Sequence, residues 1–149
     1  YRIDTTYLPV AQLKNQIEDY LKLGEKPSFS ISFVSFGYKN GIPMDSDLLF
    51  DVRFLPNPFY VEELKNLTGN DLAVYSYVMK YDATQECIRH IVEFLDYVLP
   101  EYEKEGKNHL TVGIGCTGGQ HRSVTITNYL YEHYSKKWNC YKSHREIKE

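Results

Sequence analysis

The hydrophobic and polar positions of the chain follow two different periods, and each period predicts one kind of element. Residues 29–36, FSISFVSF, alternate between the two classes and are β-branched or aromatic at the apolar positions, which predicts a strand. Short apolar runs and a late alternating segment predict three further strands, over residues 48–53, 110–115 and 140–145. Each run is closed by glycine, proline or polar residues, as strand ends usually are.

Between these runs the apolar residues recur at helical spacing. Helices are predicted over residues 9–23, 60–66 and from about 118 or 119 to 137, and a short one begins after Asn70. The longest predicted helix starts at Asp82, with Gln85 completing a capping box, and its apolar stripe reaches Tyr102. Pro100 is expected to kink this helix or to start a new turn.

The alternation of strands and helices is typical of an α/β domain. We therefore expect a layered sheet of about four or more mostly parallel strands flanked by helices, and 149 residues fit a single domain. In such sheets ligands bind beyond the carboxyl ends of the strands. Residues 35–37, 51–53 and 115–117 occupy these ends, so we expect them to meet at one site.

Composition and charge narrow the class of protein. The net charge of −3 is unlike that of a domain built mainly to bind nucleic acid. The charge is uneven, however, because residues 136–149 contain five basic and two acidic residues and so carry +3. This basic segment is either a solvated terminus or a surface for an anionic partner.

The cysteines indicate a cellular compartment, and the length of the apolar runs indicates whether the chain spans a membrane. The three cysteines, at positions 87, 116 and 140, are odd in number and show no metal-ligand spacing, which favours a reducing cytoplasmic compartment and no metal site. No apolar run approaches 18 residues, so no membrane span is predicted.

The segment CTGGQHRS, residues 116–123, is the strongest chemical signal in the chain. A strand that turns into a helix presents free backbone N–H groups and the positive end of the helix dipole to an anion. The glycines let the backbone curl, Thr117 and Ser123 add hydroxyl donors, and Arg122 can bind a phosphate with two hydrogen bonds. The segment predicts a site for a single phosphate group, with a purely structural turn as the alternative.

Three nearby side chains admit two interpretations. His121 is either a structural hydrogen-bonding residue or a base. Asp51 and Arg53 either form a salt bridge that holds their loop, or provide a second phosphate contact and an acceptor for a sugar hydroxyl or amine.

The spacing C-x5-R-S also matches a cysteine-dependent phosphatase. There the thiolate of Cys116 would attack phosphorus while Arg122 holds the equatorial oxygens. The chain departs from that pattern because Gly115 stands where the phosphatase signature has histidine. No loop clearly supplies the general acid, for which Asp45, Asp47 and Asp51 are the candidates.

Several longer motifs resemble the C-terminal domain of the RapZ/YvcJ family. They are SFVSFGYKNGIPMDSDLLFDVRFLPNPF, then LTG, then LPEYEKEGKNHLTVGIGCTGGQHRSV, then SHREIKE, in the same order as in the family. The resemblance runs from about Tyr1 to the last residues and is more specific than the phosphatase spacing.

The resemblance implies a domain organisation. Family members have an N-terminal P-loop domain that binds and hydrolyses ATP or GTP, and this sequence contains no G-x-x-x-x-G-K-[ST] motif. Residues 1–8 are therefore expected to be the remnant of a linker from that domain, and residues 9–149 the C-terminal domain. We expect no cofactor and no enzymatic activity in this domain.

The resemblance also implies a ligand and partners. Enterobacterial members bind glucosamine-6-phosphate as a signal and present a small regulatory RNA to an RNase. By position, the ligand site would comprise Cys116, Thr117, Gly118, Gly119, His121, Arg122 and Ser123, with Asp51 and Arg53 beside them, and Cys116 would form a wall of the site. Weak RNA binding is expected at Lys136, Lys137, Lys142 and Arg145.

Two further expectations concern this branch of the family. The family loop after FLPNP often has histidine where this chain has Phe59, which affects sugar specificity. The lysine- and tyrosine-rich composition resembles Gram-positive members, which are tied to cell-envelope precursor metabolism through a protein partner. Other expected partners are the P-loop domain itself and further copies in a homo-oligomer.

Overall fold

The computed structural model describes residues 29–147. The predicted helix over residues 9–23 lies outside them. In chain order the elements are β1 (Ser30–Gly37), β2 (Leu48–Asp51), α1 (Leu72–Met79), α2 (Asp82–Glu105), β3 (His109–Cys116), α3 (Arg122–Ser135) and β4 (Asn139–His144). Single 3-10 turns follow β1 at Tyr38–Asn40 and precede α1 at Pro58–Tyr60.

The four strands form one sheet in the order β2-β3-β1-β4, and every pairing is parallel. This confirms the predicted α/β class. In the register, Gly37 lies beside Cys116 and Asp51 lies beside Gly115. The three strand ends that the sequence predicted to meet are therefore neighbours at one edge of the sheet.

The core lies between the sheet and the two long helices. Alternate residues of β3 (Leu110, Val112 and Ile114) are fully buried, and they join the buried stripe of α2 and the inner residues of α3 in one cluster. Full burial of each such side chain stabilises the fold by about 1.5–3 kcal/mol. Tyr134 of α3 also donates its hydroxyl hydrogen to Asp96 of α2 at 2.8 Å, which ties the helices together.

The prediction of a helix over residues 60–66 is wrong. Pro58–Tyr60 is a 3-10 turn, and residues 61–66 are turns. The segment is held instead by side-chain packing, because Leu64 is buried against Val74 and Val78 of α1 in a small cluster separate from the main core. Val61 and Leu67 pack against the same cluster, so apolar packing holds a segment of turns here without forming a helix.

The helix after β3 begins later than predicted, at Arg122 instead of residue 118 or 119. Gly119 has a φ of +76°, in the left-handed region that a right-handed helix excludes. The five residues between β3 and α3 therefore form an irregular loop, which leaves their backbone groups free for other contacts.

Three helix and strand ends also differ from the predictions. Tyr81 precedes α2, and the Gln85 side chain donates to the Met79 carbonyl at 2.7 Å, so no capping box forms. The helix runs through Pro100 to Glu105 without a new start. The N-cap of α1 is Asp71 instead of Asn70, and β2 ends at Asp51, two residues early.

Within residues 29–147, no helix combines the length and the hydropathy that crossing a membrane requires.

Candidate functional site

A pocket of about 490 Å³ opens at the carboxyl edge of the sheet. One wall is the loop after β3, a second is the segment after β2, and Lys39 contributes from the turn after β1. The lining residues are Lys39, Asn57, Phe59, Tyr60, Lys65, Asn66, Leu67, Cys116, Thr117, Gly118, Gln120, His121 and Arg122. Among the described residues that line the pocket there are three cationic side chains, Lys39, Lys65 and Arg122, and no carboxylate, although the whole chain carries −3.

The loop after β3, residues 117–121, is held through its carbonyl groups. The Thr117 carbonyl accepts from the Lys39 amide at 3.2 Å, and the Gln120 carbonyl accepts from the Gly69 amide at 2.9 Å. Within the described part of the chain, no amide of residues 117–122 donates a backbone hydrogen bond. These donors lie at the N-terminus of the 14-residue helix α3, which is the arrangement that binds anions.

Gly119 allows the loop to rest directly on the end of β1. A Cβ atom at Gly119 would lie 2.6 Å from the Gly37 amide nitrogen, so a larger residue would push the loop away from the sheet. Gly118 is different, because nothing lies within 4 Å of the position of its missing Cβ and its backbone borders the pocket. The two glycines therefore have separate roles, one in packing and one in opening the pocket.

Cys116 joins the end of β3 to the start of α3. Its thiol lies 3.3 Å from the Ser123 hydroxyl oxygen, and its sulfur accepts from the Ser123 amide at 3.4 Å. Both residues are buried. The sequence predicted Ser123 in the ligand site. In the structure Ser123 faces Cys116 and is not among the residues that line the pocket, whereas Cys116 is.

Arg122 is 5% exposed, and part of its guanidinium group is committed to the fold. Its Nη1 donates to the carbonyl oxygen of Leu55 at 3.2 Å and to that of Arg53. Its Nε has no hydrogen-bond partner in the described structure, although it is buried. Arg122 therefore fastens the chain after β2 to the pocket and leaves donor capacity and positive charge at the pocket wall.

His121 is 7% exposed, and its Nε2 likewise lacks a partner within the described structure. Burial lowers the pKa of His121 because it disfavours the charged ring, and the nearby Arg122 charge acts in the same direction. Backbone groups of residues 64–67 oppose this shift without reversing it. The setting therefore favours the neutral ring, which has one nitrogen able to donate and one able to accept.

Asp51 and Arg53 pair with each other and do not line the pocket. Arg53 Nη2 lies 2.7 Å from Asp51 Oδ2, and Arg53 Nε lies 3.0 Å from Asp51 Oδ1. These hydrogen bonds hold the pKa of Asp51 below its usual value. The guanidinium group also stacks on Tyr38, 4.1 Å from the ring centre. Of the two interpretations from the sequence, the structure has the salt bridge.

The basic residues near the C-terminus do not form one patch. Lys142 lies 3.0 Å from the Asn128 side-chain oxygen and over the ring of Tyr131. Arg145 is paired with Glu146 at 2.7 Å and does not stand free in solvent. Lys136 and Lys137 are exposed beyond the far end of α3, at the edge of the sheet opposite the pocket.

The sequence did not identify half of the pocket lining. Seven lining residues were absent from the predicted site: Lys39, Asn57, Tyr60, Lys65, Asn66, Leu67 and Gln120. The topology could have indicated these residues, because the segment after β2 has to pass the same edge of the sheet as the loop after β3. The incorrect helix over residues 60–66 concealed it.

Comparison with known proteins identifies the family. Residues 29–148 match the family described as the RapZ C-terminal domain. A nucleotide-binding protein of Shouchella clausii is 49% identical over 97% of the chain and 49% of its own length. Nucleotide-binding proteins of Thermoanaerobacter sp. (49% over 99% and 52%) and Bacillus velezensis (45% over 98% and 50%) are also similar. The chain spans about half the length of these relatives, and it belongs to the RapZ C-terminal domain family.

Proposed function

We propose that this domain is a sensor and adapter that binds a phosphorylated amino sugar, with glucosamine-6-phosphate as the first candidate, in the pocket beside the loop after β3. The carrying observation is the charge of the lining: three cations converge with no carboxylate, in a chain whose net charge is negative. A pocket of about 490 Å³ is also of the size that small-ligand sites have.

The phosphate group belongs at the start of α3. The unengaged amides of residues 117–122 and the helix dipole favour an anion there, and Thr117 adds a hydroxyl donor. Lys39 and Arg122 supply charge-assisted contacts from two sides. The loop thus supplies position, and the cations supply most of the attraction.

The sugar ring belongs toward the segment after β2. Asn57, Asn66 and Gln120 offer amide groups that can pair with hydroxyl or ammonium groups, and Phe59 with Tyr60 offers an apolar rim. Phe59 is half exposed, and Lys65 lies 5.4 Å from its ring centre. Without a carboxylate among these residues, recognition of an amino group rests on amide and carbonyl oxygens.

The ligand would act by holding together segments that are separate in sequence. Residues 38–40, 57–67 and 117–121 all contribute to the pocket, so a bound molecule cross-links them. Such a ligand shifts the conformational equilibrium only by its difference in affinity for the two states. The proposed binding partners whose affinity would depend on that shift are a small RNA, a regulatory protein, or the ATP- and GTP-binding domain of a full-length family member in the cytoplasm.

The proposal assigns Cys116 a binding role and leaves phosphatase chemistry as the alternative. The thiol is engaged with Ser123 in a buried contact, and Arg122 bonds to backbone carbonyls. We expect no turnover of an aryl phosphate above buffer. Turnover that Cys116→Ser removes would replace the sensor proposal with the phosphatase.

The first experiment is a calorimetric titration of the chain with glucosamine-6-phosphate, with glucose-6-phosphate and inorganic phosphate run in parallel. Tighter binding of the amino sugar supports the proposal in full. Equal, weak binding of all three reduces the pocket to a general anion site. Absence of binding by all three contradicts the proposal.

A further inference from the structure

The last turn of the described chain is bound to the back of the phosphate loop. Arg145 and Glu146 follow β4 directly, at the pocket edge of the sheet. We name these two residues the clasp. We propose that the clasp positions the anion-binding loop, so that Glu146, which lies outside the pocket lining, determines how well the pocket binds phosphate. This inference rests on the proposed function of the pocket.

The Glu146 carboxylate joins two segments that support the pocket. Its Oε2 accepts from the Gly37 amide at 3.1 Å, and its Oε1 accepts from the Asn40 side chain at 2.8 Å. Between these two anchor points lies the 3-10 turn that carries Lys39. The carboxylate therefore fixes the turn from which one of the three pocket cations projects.

Glu146 also contacts the phosphate loop. Its carbonyl oxygen accepts from the Gln120 side chain at 2.8 Å. Its side chain packs against Gly119, where a Cβ atom would collide with it and with β1. The clasp thus touches the loop at both residues that precede His121, although Glu146 itself does not line the pocket.

Arg145 completes the arrangement. Its guanidinium group pairs with the Glu146 carboxylate through Nε at 2.9 Å and Nη2 at 2.7 Å, and it donates to the carbonyl oxygen of Gly41. Its backbone amide donates to the Ser35 carbonyl at 3.0 Å. The Glu146 side chain is only 11% exposed, so these charge-assisted bonds are better shielded from solvent than those of a surface pair.

The ionised state of Glu146 is stable in this setting. Burial alone would raise the pKa of the carboxyl group, but the hydrogen bonds from Gly37, Arg145 and Asn40 outweigh it and lower the pKa. A carboxylate beside an anion site would otherwise be unfavourable for anion binding, because like charges repel. We explain the Glu146 carboxylate behind the loop by its hydrogen bonds, which fix the positions of Gly37 and Asn40.

The opposing electrostatic effect makes the test decisive. Removing a negative charge near the pocket should by itself strengthen phosphate binding, whereas loss of positioning should weaken it. We expect Glu146→Ala to weaken the binding of inorganic phosphate and of glucosamine-6-phosphate by about 5- to 20-fold, which corresponds to about 1–2 kcal/mol. Glu146→Gln should behave similarly, because an amide cannot accept all of these hydrogen bonds. The matched control is Glu132→Ala, on the exposed side of α3.

A second measurement needs no ligand. Hydrogen exchange of the hydrogen-bonded amides of Gly37, Lys39, Gly41 and Gly69 should accelerate in Glu146→Ala and remain unchanged in Glu132→Ala, with both variants folded by near-ultraviolet circular dichroism. Unchanged or tighter phosphate binding in Glu146→Ala would overturn the inference while leaving the proposed function intact. If the unsubstituted chain binds none of the anions, the proposed function fails, and hydrogen exchange alone decides whether the clasp holds the loop.

Discussion

Two sets of basic side chains in this domain differ in how they are arranged. The pocket set, Lys39, Lys65 and Arg122, comes from three distant segments and converges on one cavity. The tail set, Lys136, Lys137, Lys142 and Arg145, is close in sequence but spread in space. Two of its members lie beyond the far end of α3, one lies against Asn128 and Tyr131, and one is bound in the clasp.

The difference shows why a count of charges along a sequence is a poor guide to an anion site. The attraction between charges rises as their separation and the local dielectric fall, so three cations around one partly enclosed pocket act on one ligand together. The tail set offers separate exposed charges, which salt screens. Such a set supports at most weak and salt-sensitive binding of RNA.

We expect the largest effect for Arg122, because its guanidinium group both borders the pocket and donates hydrogen bonds that stabilise the fold. Arg122→Ala removes the hydrogen bonds to the Arg53 and Leu55 carbonyls and leaves a partly buried and a buried acceptor without this donor. We expect a loss of about 2–4 kcal/mol in the free energy of unfolding, measured by urea denaturation. Lys136→Ala, the control from the tail set, should change it by less than about 0.5 kcal/mol. Equal stability of the two variants would show that Arg122 is not structural.

The second test compares the sets directly by ligand affinity. Lys39→Ala combined with Lys65→Ala should weaken phosphate binding by about 10- to 50-fold, because two of the three pocket cations are lost. Lys136→Ala combined with Lys137→Ala removes the same charge from the opposite edge and should change affinity less than about two-fold. Calorimetry at fixed ionic strength measures both. A similar loss in both double variants would mean that net charge, and not convergence, drives binding.

The smallest effect concerns His144, which lies between β1 and α3. Its ring nitrogens lie 2.8 Å from the Ser35 hydroxyl and 3.0 Å from the Asn128 oxygen. Burial, together with the smaller effect of the Lys142 charge from the tail set, lowers the pKa of His144 to about 4. Between pH 6.5 and 4 the folded state therefore binds fewer protons than the unfolded state. The contribution of His144 to the free energy of unfolding is complete above pH 6.5 and decreases as the pH is lowered through this window.

We expect a loss of about 1 kcal/mol between pH 6.5 and 5, measured as the shift in the urea midpoint; this is less than the full pKa shift would give, because His144 is only partly buried and solvent screens its charge. In His144→Gln the group no longer titrates, and the pH dependence should flatten over this window. Lys142→Ala should flatten it only slightly, because the Lys142 charge contributes less than burial to the lowered pKa of His144. Identical pH profiles for His144→Gln and the unsubstituted chain would exclude His144 as the source.

Much of the fold followed from local pattern. The alternation in residues 29–36 and the apolar run from Leu110 predicted β1 and β3 to within a residue, because burial on both faces leaves a strong compositional mark. The stripe of α2 was equally clear. The helix over residues 60–66 was wrong because Val61, Leu64 and Leu67 recur at near-helical spacing, which turns packed on one cluster can also show.

The site was predicted in part for a similar reason. Cys116, Thr117, Gly118, His121 and Arg122 were identified because a glycine-rich turn between a strand and a helix has a local physical meaning. Asp51 and Arg53 were placed in the site because they follow a strand end, but nothing local shows that they satisfy each other. Lys65 was missed because its distance from the loop depends on the path of residues 57–67.

The sequence by itself determined the class of the domain, its family and the glycine-rich turn between a strand and a helix. These properties depend on period, glycine positions and contiguous motifs, all of which lie within a few residues of one another. The tertiary structure alone decided which cations converge, which carboxylates are absent from the pocket, and that Arg145 and Glu146 hold the loop from behind. Those outcomes depend on contacts between residues about 25 to 110 positions apart in the chain, which the packing of a parallel sheet creates and local sequence does not encode.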